Sequence, residues 1–305
     1  MSHEPQPERR EKSSPLVVSA SFLLALAYLI MAGTTRPIDA FAKALKKPEL
    51  MIWCVLVATQ VSLWSYFLVP AYKRAARHLS SFNTHRWSII GDAIALILLF
   101  MLFLGAHRKV TSGLELPVMW LKEVKMPALG IIGVMTLGPC LIGMRLIAIE
   151  ARAEAAAGVG AALLDKLTRL RRDLKWFLGS AAMMIGTATF ANGAFRNVMN
   201  KLNTAPATQI PASEILLYGG FCSGVLALFY VSSHVVFSRS SWALIRAAEP
   251  VRDSSASAWI DAQGKRAKLA EAIGLGTTSI RAFQDGVAIL APLFGSGIAL
   301  LLGKA

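Results

Sequence analysis

Long apolar blocks constrain this chain more than any other feature of its sequence. Six blocks are each 19–23 residues long, at 15–33, 50–72, 88–106, 127–149, 174–194 and 215–237. A helix needs about 20 apolar residues to cross a hydrocarbon core of about 30 Å. The blocks lack the period-two alternation of barrel strands, and backbone groups in lipid must be satisfied within the protein. The sequence therefore predicts an all-α, polytopic transmembrane helical bundle of about six spans, 15–237.

A seventh apolar block, 286–303, is shorter and contains Pro292, Gly295 and Gly297. Its 18 residues reach about 27 Å at about 1.5 Å per residue, which is marginal for a crossing. We therefore expect residues 286–305 to form an apolar C-terminal helix that is buried against the bundle or inserted shallowly. A seventh span is the alternative.

Two polar segments flank the predicted bundle, one before its first span and one after its sixth. Residues 1–14 are polar and mixed in charge, which predicts a disordered N-terminal arm. Residues 238–285 form a basic helical tail, in which one helix is expected to end near Ile273. Gly274 suits the left-handed cap that follows such a helix, and Leu275 suits the accompanying apolar contact.

The connection 150–173 carries an apolar stripe at helical spacing. Its apolar residues are Val159, Leu163, Leu167 and Leu170, with Leu174 next along the chain. Most of its basic residues lie off this stripe, which predicts a basic amphipathic helix resting on the membrane or on other cytoplasmic elements. The alternative is that the flanking spans continue beyond the bilayer as a helical hairpin.

The net charge of +14 has a simple origin in the connections between the spans. Charged residues make up 16% of the chain and hydrophobic residues 55%. Connections on the side of the N-terminus hold 21 Lys and Arg residues, and those on the other side hold 10. The positive-inside rule therefore predicts a protein integral to the cell membrane, with its N-terminus and the tail 238–285 in the cytoplasm.

Basic residues next to the spans are expected to contact anionic lipid headgroups. These residues are Lys73, Arg74, Arg77, Arg169, Arg171 and Arg172. Span 50–72 carries Trp53 and Trp64, with Tyr66 and Tyr72 toward its inner end, and the basic residues follow at once. Aromatic residues near the headgroups with basic residues beyond them are typical of a membrane–water interface. A protein partner at the cytoplasmic face is also expected, whereas no nucleic-acid-binding module is present. The sequence does not indicate an oligomeric state.

Two ionisable residues stand out inside the predicted spans, where charge is costly. Asp92 lies about one turn inside the start of span 88–106, and Arg145 lies about one turn inside the end of span 127–149. The six-span topology places both at a similar depth on the cytoplasmic side. We therefore predict an intramembrane ion pair between Asp92 and Arg145, with Glu150 as a competing partner for the arginine.

Other polar and small residues of the spans have both structural and functional interpretations. His234, with Gln60 and Asn192, forms a candidate pH-sensitive or polar site, although such residues more often only make hydrogen bonds between helices. Gly220 and Gly224 form a GxxxG pair, which predicts close helix packing. His78 lies beside a basic loop without metal-ligand spacing.

Catalytic, cofactor and metal signatures are missing from the sequence. No nucleotide-binding loop, nucleophile elbow or zinc-protease helix motif occurs. Cys54, Cys140 and Cys222 all fall inside predicted spans and are expected to be core residues. We therefore expect a non-enzyme that has neither cofactor nor metal.

Three classes of function agree with these features. The first is a noncatalytic membrane scaffold that binds lipids or a protein partner through its basic cytoplasmic segments. The second is a transporter or channel for small solutes or ions, with the polar residues of spans 50–72 and 174–194 lining a path. The third is a membrane-disrupting effector that acts through the block 286–303.

Overall fold

The structure, a computed structural model, describes residues 19–25, 48–79, 90–91, 94–95, 98, 126–157, 161–202, 209–251, 255–275 and 279–302. Within these ranges all regular structure is helical and no strand occurs. Residues 19–25 are helical, and six longer helices follow. These helices are α1 (Pro48–Leu79), α2 (Met126–Ala157), α3 (Ala161–Leu202), α4 (Ala212–Ala248), α5 (Ala256–Ile273) and α6 (Ser279–Leu302).

Three helices in the described ranges are long and apolar enough to cross a membrane, compared with the six spans that we predicted. They are α1, the part of α2 from Gly133 to Ala156, and α4. Predicted span 174–194 lies within α3, a helix of 42 residues that does not meet the same standard. Alanine, glycine and polar residues dilute its apolar content. Most of predicted spans 15–33 and 88–106 lies outside the described residues.

Contacts along α1 fix the directions of its two neighbours. Helix α3 runs antiparallel to α1, since Lys201 bridges Glu49 at one end and Asp173 bridges Arg74 at the other. Helix α2 runs parallel to α1. Trp64 lies against Gly133, and fourteen residues further along α1, His78 bonds Glu150 of α2. We call the end of the bundle with His78 and Glu150 the ionic end, and the end with Glu49 and Lys201 the far end.

Helices α2 and α3 form a long antiparallel hairpin at the ionic end. Lys166 of α3 contacts both Glu150 and Glu154 of α2. The apolar stripe of the predicted amphipathic segment 150–173 faces the core, because Leu163, Leu167 and Leu170 are all buried. The structure therefore has the helical-hairpin alternative, in which the stripe covers protein rather than membrane.

Helix α5 ends as its sequence predicts. Gly274 follows Ile273 with φ of 77°, and the Leu275 N–H donates to the Ala270 carbonyl. Only glycine adopts this left-handed conformation without strain. This confirms the predicted cap. Ser255 caps the other end of α5 by accepting a hydrogen bond from the Ala258 N–H.

Helix α6 packs lengthwise along α3 and α4. Near its start, Asp285 bonds Tyr230 of α4, and eleven residues later Ser296 lies against Gly219. Helix α6 therefore runs from the ionic end toward the far end, antiparallel to α4. Ser296 is fully buried, which agrees with the predicted burial against the bundle.

Two tryptophans that the sequence suggests for the membrane–water interface are buried in the core instead. Trp53 is 2% exposed and packs against Phe195, while Trp64 donates a hydrogen bond to the Met184 carbonyl at 3.2 Å. Both therefore join α1 to α3. Tyr66 and Tyr72, in contrast, are exposed as an interfacial position requires.

The predicted packing of Gly220 and Gly224 stays a prediction. Among the described residues, a Cβ at either position would meet no atom within 4 Å. Gly219 is the close-packed glycine instead, because a Cβ there would meet Ser296 and the Pro292 carbonyl. Gly219 and Gly220 face different directions because one residue along a helix turns the side chain by about 100°.

Candidate functional site

Buried charged side chains from three helices meet at the ionic end. His78 Nδ1 lies 2.7 Å from Glu150 Oε2, and His78 Nε2 lies 3.3 Å from Asp173 Oδ2. These three side chains are 7%, 5% and 4% exposed. Three more exposed side chains contact this buried group. We call all six residues the ionic cluster: Arg74, His78, Glu150, Glu154, Lys166 and Asp173.

The partners of the ionic cluster balance its charge. Arg74 donates to Asp173 Oδ1 at 2.6 Å. Lys166 Nζ lies 3.1 Å from Glu150 Oε1 and 2.5 Å from Glu154 Oε1. Three basic side chains therefore face three carboxylates. An unpaired charge in such a buried position would be strongly destabilising, so each partner depends on the others.

The geometry around His78 favours its doubly protonated form. Both of its ring nitrogens face carboxylate oxygens, and an ionised carboxylate accepts hydrogen bonds but cannot donate them. Both contacts are hydrogen bonds only when both nitrogens carry protons. The arrangement therefore favours an imidazolium, and both ring nitrogens are occupied by carboxylate oxygens.

The two α3 side chains of the ionic cluster, Asp173 and Lys166, are both stabilised in their charged forms. Burial alone would raise the pKa of Asp173, but the hydrogen bond from His78 and the nearby charges of Arg74, His78 and Arg77 lower it overall. Burial alone would lower the pKa of Lys166, but hydrogen bonds to Glu154 and Glu150 raise it overall. Both groups are therefore held in their charged forms.

Arg74 makes a second contact that fixes its guanidinium. Its Cζ atom lies 4.4 Å from the centre of the Trp176 ring, a cation–π geometry. Trp176 in turn packs edge-on against Phe67. Arg74 is therefore held between an aromatic face and a carboxylate.

A second polar cluster lies beside the first and joins α3, α4 and α6. The Tyr230 hydroxyl donates to Asp285 Oδ2 at 2.7 Å, and Lys175 Nζ lies 3.4 Å from Asp285 Oδ1. The His234 ring stacks on Tyr230 with centroids 5.5 Å apart, and its Nε2 is 3.5 Å from Ser238 Oγ. His234, a predicted polar-site residue, thus belongs to a connected set at the ionic end.

The other predicted site residues are not brought together with His234. Gln60 is buried on α1 and Asn192 is half-buried on α3. Asp92 lies outside the described residues, so its ion pair with half-buried Arg145 stays a prediction. Glu150, the competing partner that we named for Arg145, bonds His78 and Lys166.

The six predicted headgroup residues fall into two groups. Lys73, Arg77, Arg169 and Arg172 are exposed at the ionic end. Arg74 is committed to Asp173, and Arg171 is only 8% exposed and donates to the Ile273 carbonyl at 3.2 Å. Arg171 is therefore buried and not available at the surface. Its hydrogen bond to Ile273 joins α3 to the end of α5.

Sequence reasoning missed the ionic cluster because its members are far apart in the chain. His78 and Glu150 are separated by 72 residues, and His78 and Asp173 by 95. His78 also follows a basic run that resembles an ordinary interfacial loop. The sequence contained one signal of burial. Arg74 and His78 lie at helical spacing on the same face as Ala71 and Ala75, which are buried.

The described residues contain no group of three His, Cys, Asp or Glu arranged to hold a metal ion. The ionic cluster itself has its histidine nitrogens and carboxylate oxygens occupied by one another. The ionic cluster therefore joins α1, α2 and α3 to one another at the ionic end. The chain matches no family model, no curated protein and no solved structure.

Proposed function

We propose that this chain is a noncatalytic, multi-pass membrane scaffold whose ionic end lies at the cytoplasmic face and binds anionic lipids or a protein partner. The observation that carries this proposal is the segregation of charge along the bundle. Exposed basic side chains gather at the ionic end, namely Lys73, Arg77, Arg152, Arg169, Arg172, Arg239, Arg246, Lys265 and Lys268.

Apolar side chains cover the bundle between its two ends. Ile52 on α1, Leu217 and Leu228 on α4, and Ile298 on α6 are between 51% and 71% exposed. A soluble protein rarely leaves such large apolar residues facing water in number. Lipid around the bundle would bury them, which supports insertion.

The parallel direction of α1 and α2 supports a further crossing between them. Both helices reach the ionic end at their C-termini, so the chain must return to the far end between residues 79 and 126. Predicted span 88–106 lies in this interval and is long enough to make that return. The six-span arrangement therefore agrees with the packing of the three apolar helices.

The packing of α6 favours a seventh crossing over shallow insertion. Helix α6 follows α4 from Tyr230 to Gly219, which is about half of predicted span 215–237. If α4 crosses the bilayer, α6 lies at the same depths. We infer that the end of α6 then lies on the far side of the membrane, and that the N-terminus and the ionic end lie in the cytoplasm.

The contact between α1 and α3 favours a scaffold over a transporter. These helices carry the polar residues that a path would need, yet Trp53, Trp64 and Met184 fill the contact and are buried. Ser62 and Ser65 donate to carbonyls of their own helix, and Thr187 and Thr189 do the same. Their hydroxyls are thus satisfied within each helix.

Reconstitution tests the scaffold proposal against its rivals. We expect liposomes that contain the full chain to hold a proton gradient and an entrapped dye as tightly as liposomes without it. A filled helical core offers ions no path. Dissipation of the proton gradient would support a channel, and release of the dye would support a membrane-disrupting effector; either result contradicts the proposal.

Cysteine labelling tests the topology. In a background with Cys54, Cys140 and Cys222 replaced by Ala, a membrane-impermeant maleimide should label Ala305→Cys in intact cells. Ser257→Cys at the ionic end should react only after the cells are opened. Labelling of Ser257→Cys in intact cells would invert the orientation, and protection of Ala305→Cys would remove the seventh crossing.

A further inference from the structure

A groove at the ionic end is lined by three arginines from two helices. Arg239 and Arg246 come from the last turns of α4, and Arg266 comes from α5. Trp242 and Gln263 complete the adjoining hollows, each of about 310 Å³. We call this feature the arginine groove. Its size lies at the lower end of the range for small-ligand sites.

Arg266 is held in position before any ligand arrives. Its Nε and Nη2 atoms donate to the Glu249 carbonyl at 3.0 Å and 2.8 Å. A guanidinium has five N–H donors, so three remain beyond these two bonds. A fixed guanidinium loses little freedom on binding, and its planar shape matches the oxygens of a phosphate group.

The arginine groove has an unbalanced positive charge. Its described lining includes no carboxylate, because Ser238, Ala243, Trp242 and Gln263 are its other members. The ionic cluster, by comparison, pairs each of its cations with an acid. Each hollow is lined by two guanidiniums, with Arg246 shared between the two hollows, and two adjacent cations favour a ligand with more than one negative charge. A phosphomonoester carries about −1.5 to −2 at neutral pH, whereas a phosphodiester carries about −1.

The surroundings of the groove favour a ligand presented by the membrane. Arg239 follows predicted span 215–237 at once, which puts the groove at headgroup level if α4 crosses the bilayer. Trp259 lies one turn from Gln263 on α5 and is 53% exposed, next to Ile260 at 62%. An exposed tryptophan beside exposed aliphatic residues is typical of the membrane–water interface.

We propose that the arginine groove binds the phosphomonoester headgroup of an anionic phospholipid. This proposal rests on the proposed function, because it needs α4 to cross the bilayer. It specifies the lipid class that the ionic end recognises: a terminal phosphate, rather than anionic lipid in general. Free phosphate shares the same chemistry but would not use Trp259 and Ile260.

The test measures lipid binding by the full chain in neutral phosphatidylcholine nanodiscs. Phosphatidic acid should bind more tightly than phosphatidylglycerol, which has a phosphodiester. Arg246→Gln should weaken phosphatidic acid binding about tenfold, since it removes a charge-assisted hydrogen bond. The matched control is Lys265→Gln, which removes the same charge from an exposed position on α5 outside the groove lining.

Three results would overturn the proposal. Equal losses in Arg246→Gln and Lys265→Gln would indicate general attraction to charge. Equal binding of phosphatidic acid and phosphatidylglycerol would remove the preference for a phosphomonoester. Displacement of the lipid by inorganic phosphate at an equal concentration would assign the groove to a free anion. Failure of the chain to enter nanodiscs at all would instead contradict the proposed function.

Discussion

Asp173 joins two basic side chains of α1 at the ionic end. Its two oxygens contact Arg74 and His78, which lie one turn apart on α1. Removing its charge leaves two cations facing each other with only Glu150 nearby as an acid. Breaking a buried ion pair from one side costs more than the pair contributes, because the other charge stays buried.

We expect Asp173→Asn to lower the free energy of unfolding by about 3–5 kcal/mol. The measurement is denaturant unfolding in detergent micelles, followed by circular dichroism. Asp165→Asn is the matched control, since Asp165 is exposed on the same helix and should change stability little. Equal stability of the two variants would mean that the cluster does not hold the helices together.

At the level of single residues, the sequence predicted what depends on neighbours along the chain. Gly274 is such a case, because the end of α5 and its left-handed cap depend on a few adjacent residues. His78 is the opposite case. Its neighbours in sequence indicate an interfacial loop, whereas its burial depends on Glu150 and Asp173, which only the tertiary fold brings near.

Helix α4 has two faces that differ in what they contact. Gly219 faces α6, where a Cβ would meet Ser296 and the Pro292 carbonyl, while Gly220 faces open space. Both glycines lie in the same helix and the same apolar block. A side chain at the first position must therefore push α6 away, whereas a side chain at the second would meet no described residue within 4 Å.

We expect Gly219→Val to destabilise the bundle by about 1–3 kcal/mol through overpacking. Gly220→Val is the control, because it has the same change in volume and helix propensity without the contact. Thermal unfolding in detergent micelles measures both. A larger loss in Gly220→Val would show that α6 packs on the other face of α4 and would contradict the described contact.

Helix existence was predictable for α1, α2 and α4, because length and apolar content decide it locally. Which face each helix buries was not predictable from one sequence. The apolar content of α4 is similar all round, so the choice between Gly219 and Gly220 depends on where α6 lies. The same holds for Trp53 and Trp64, which pack against α3 although their positions suited the interface.

The whole bundle depends on pH through the groups of the ionic cluster. The pKa of Asp173 is lowered below its ordinary value of 3.8, so its contribution is present above pH 3.8 and is lost as pH falls through the folded value. The pKa of Lys166 is raised above 10.5, so its contribution is present below that pH and is lost only at higher pH. Stability from these two groups is therefore greatest between the two limits.

We expect the difference in melting temperature between the wild-type chain and Asp173→Asn to shrink as pH falls below about 4. Protonated Asp173 resembles asparagine in charge, which is why the two proteins converge. A pH series of thermal unfolding in detergent measures this, with Asp165→Asn in parallel. A constant difference down to pH 2.5 would indicate that Asp173 stabilises the fold through packing rather than charge.

The overall class of the molecule could be predicted from its apolar blocks, whereas its helix arrangement could not. Parallel packing of α1 and α2 follows from contacts between residues more than 60 positions apart, such as Trp64 with Gly133. The sequence left two arrangements open for 150–173. In the hairpin arrangement, Leu163, Leu167 and Leu170 are buried against other helices, whereas in the alternative they would lie on the membrane surface.

The separation of the ionic cluster along the chain has a consequence for biosynthesis. His78 is made 72 residues before Glu150 and 95 before Asp173. While the ribosome is still translating the rest of the chain, Arg74 and His78 of α1 have none of their acidic partners from α2 and α3. The joint between the three helices can close only once the α2–α3 hairpin has been delivered. Completion of the hairpin is thus the step that commits the nascent chain to its final arrangement.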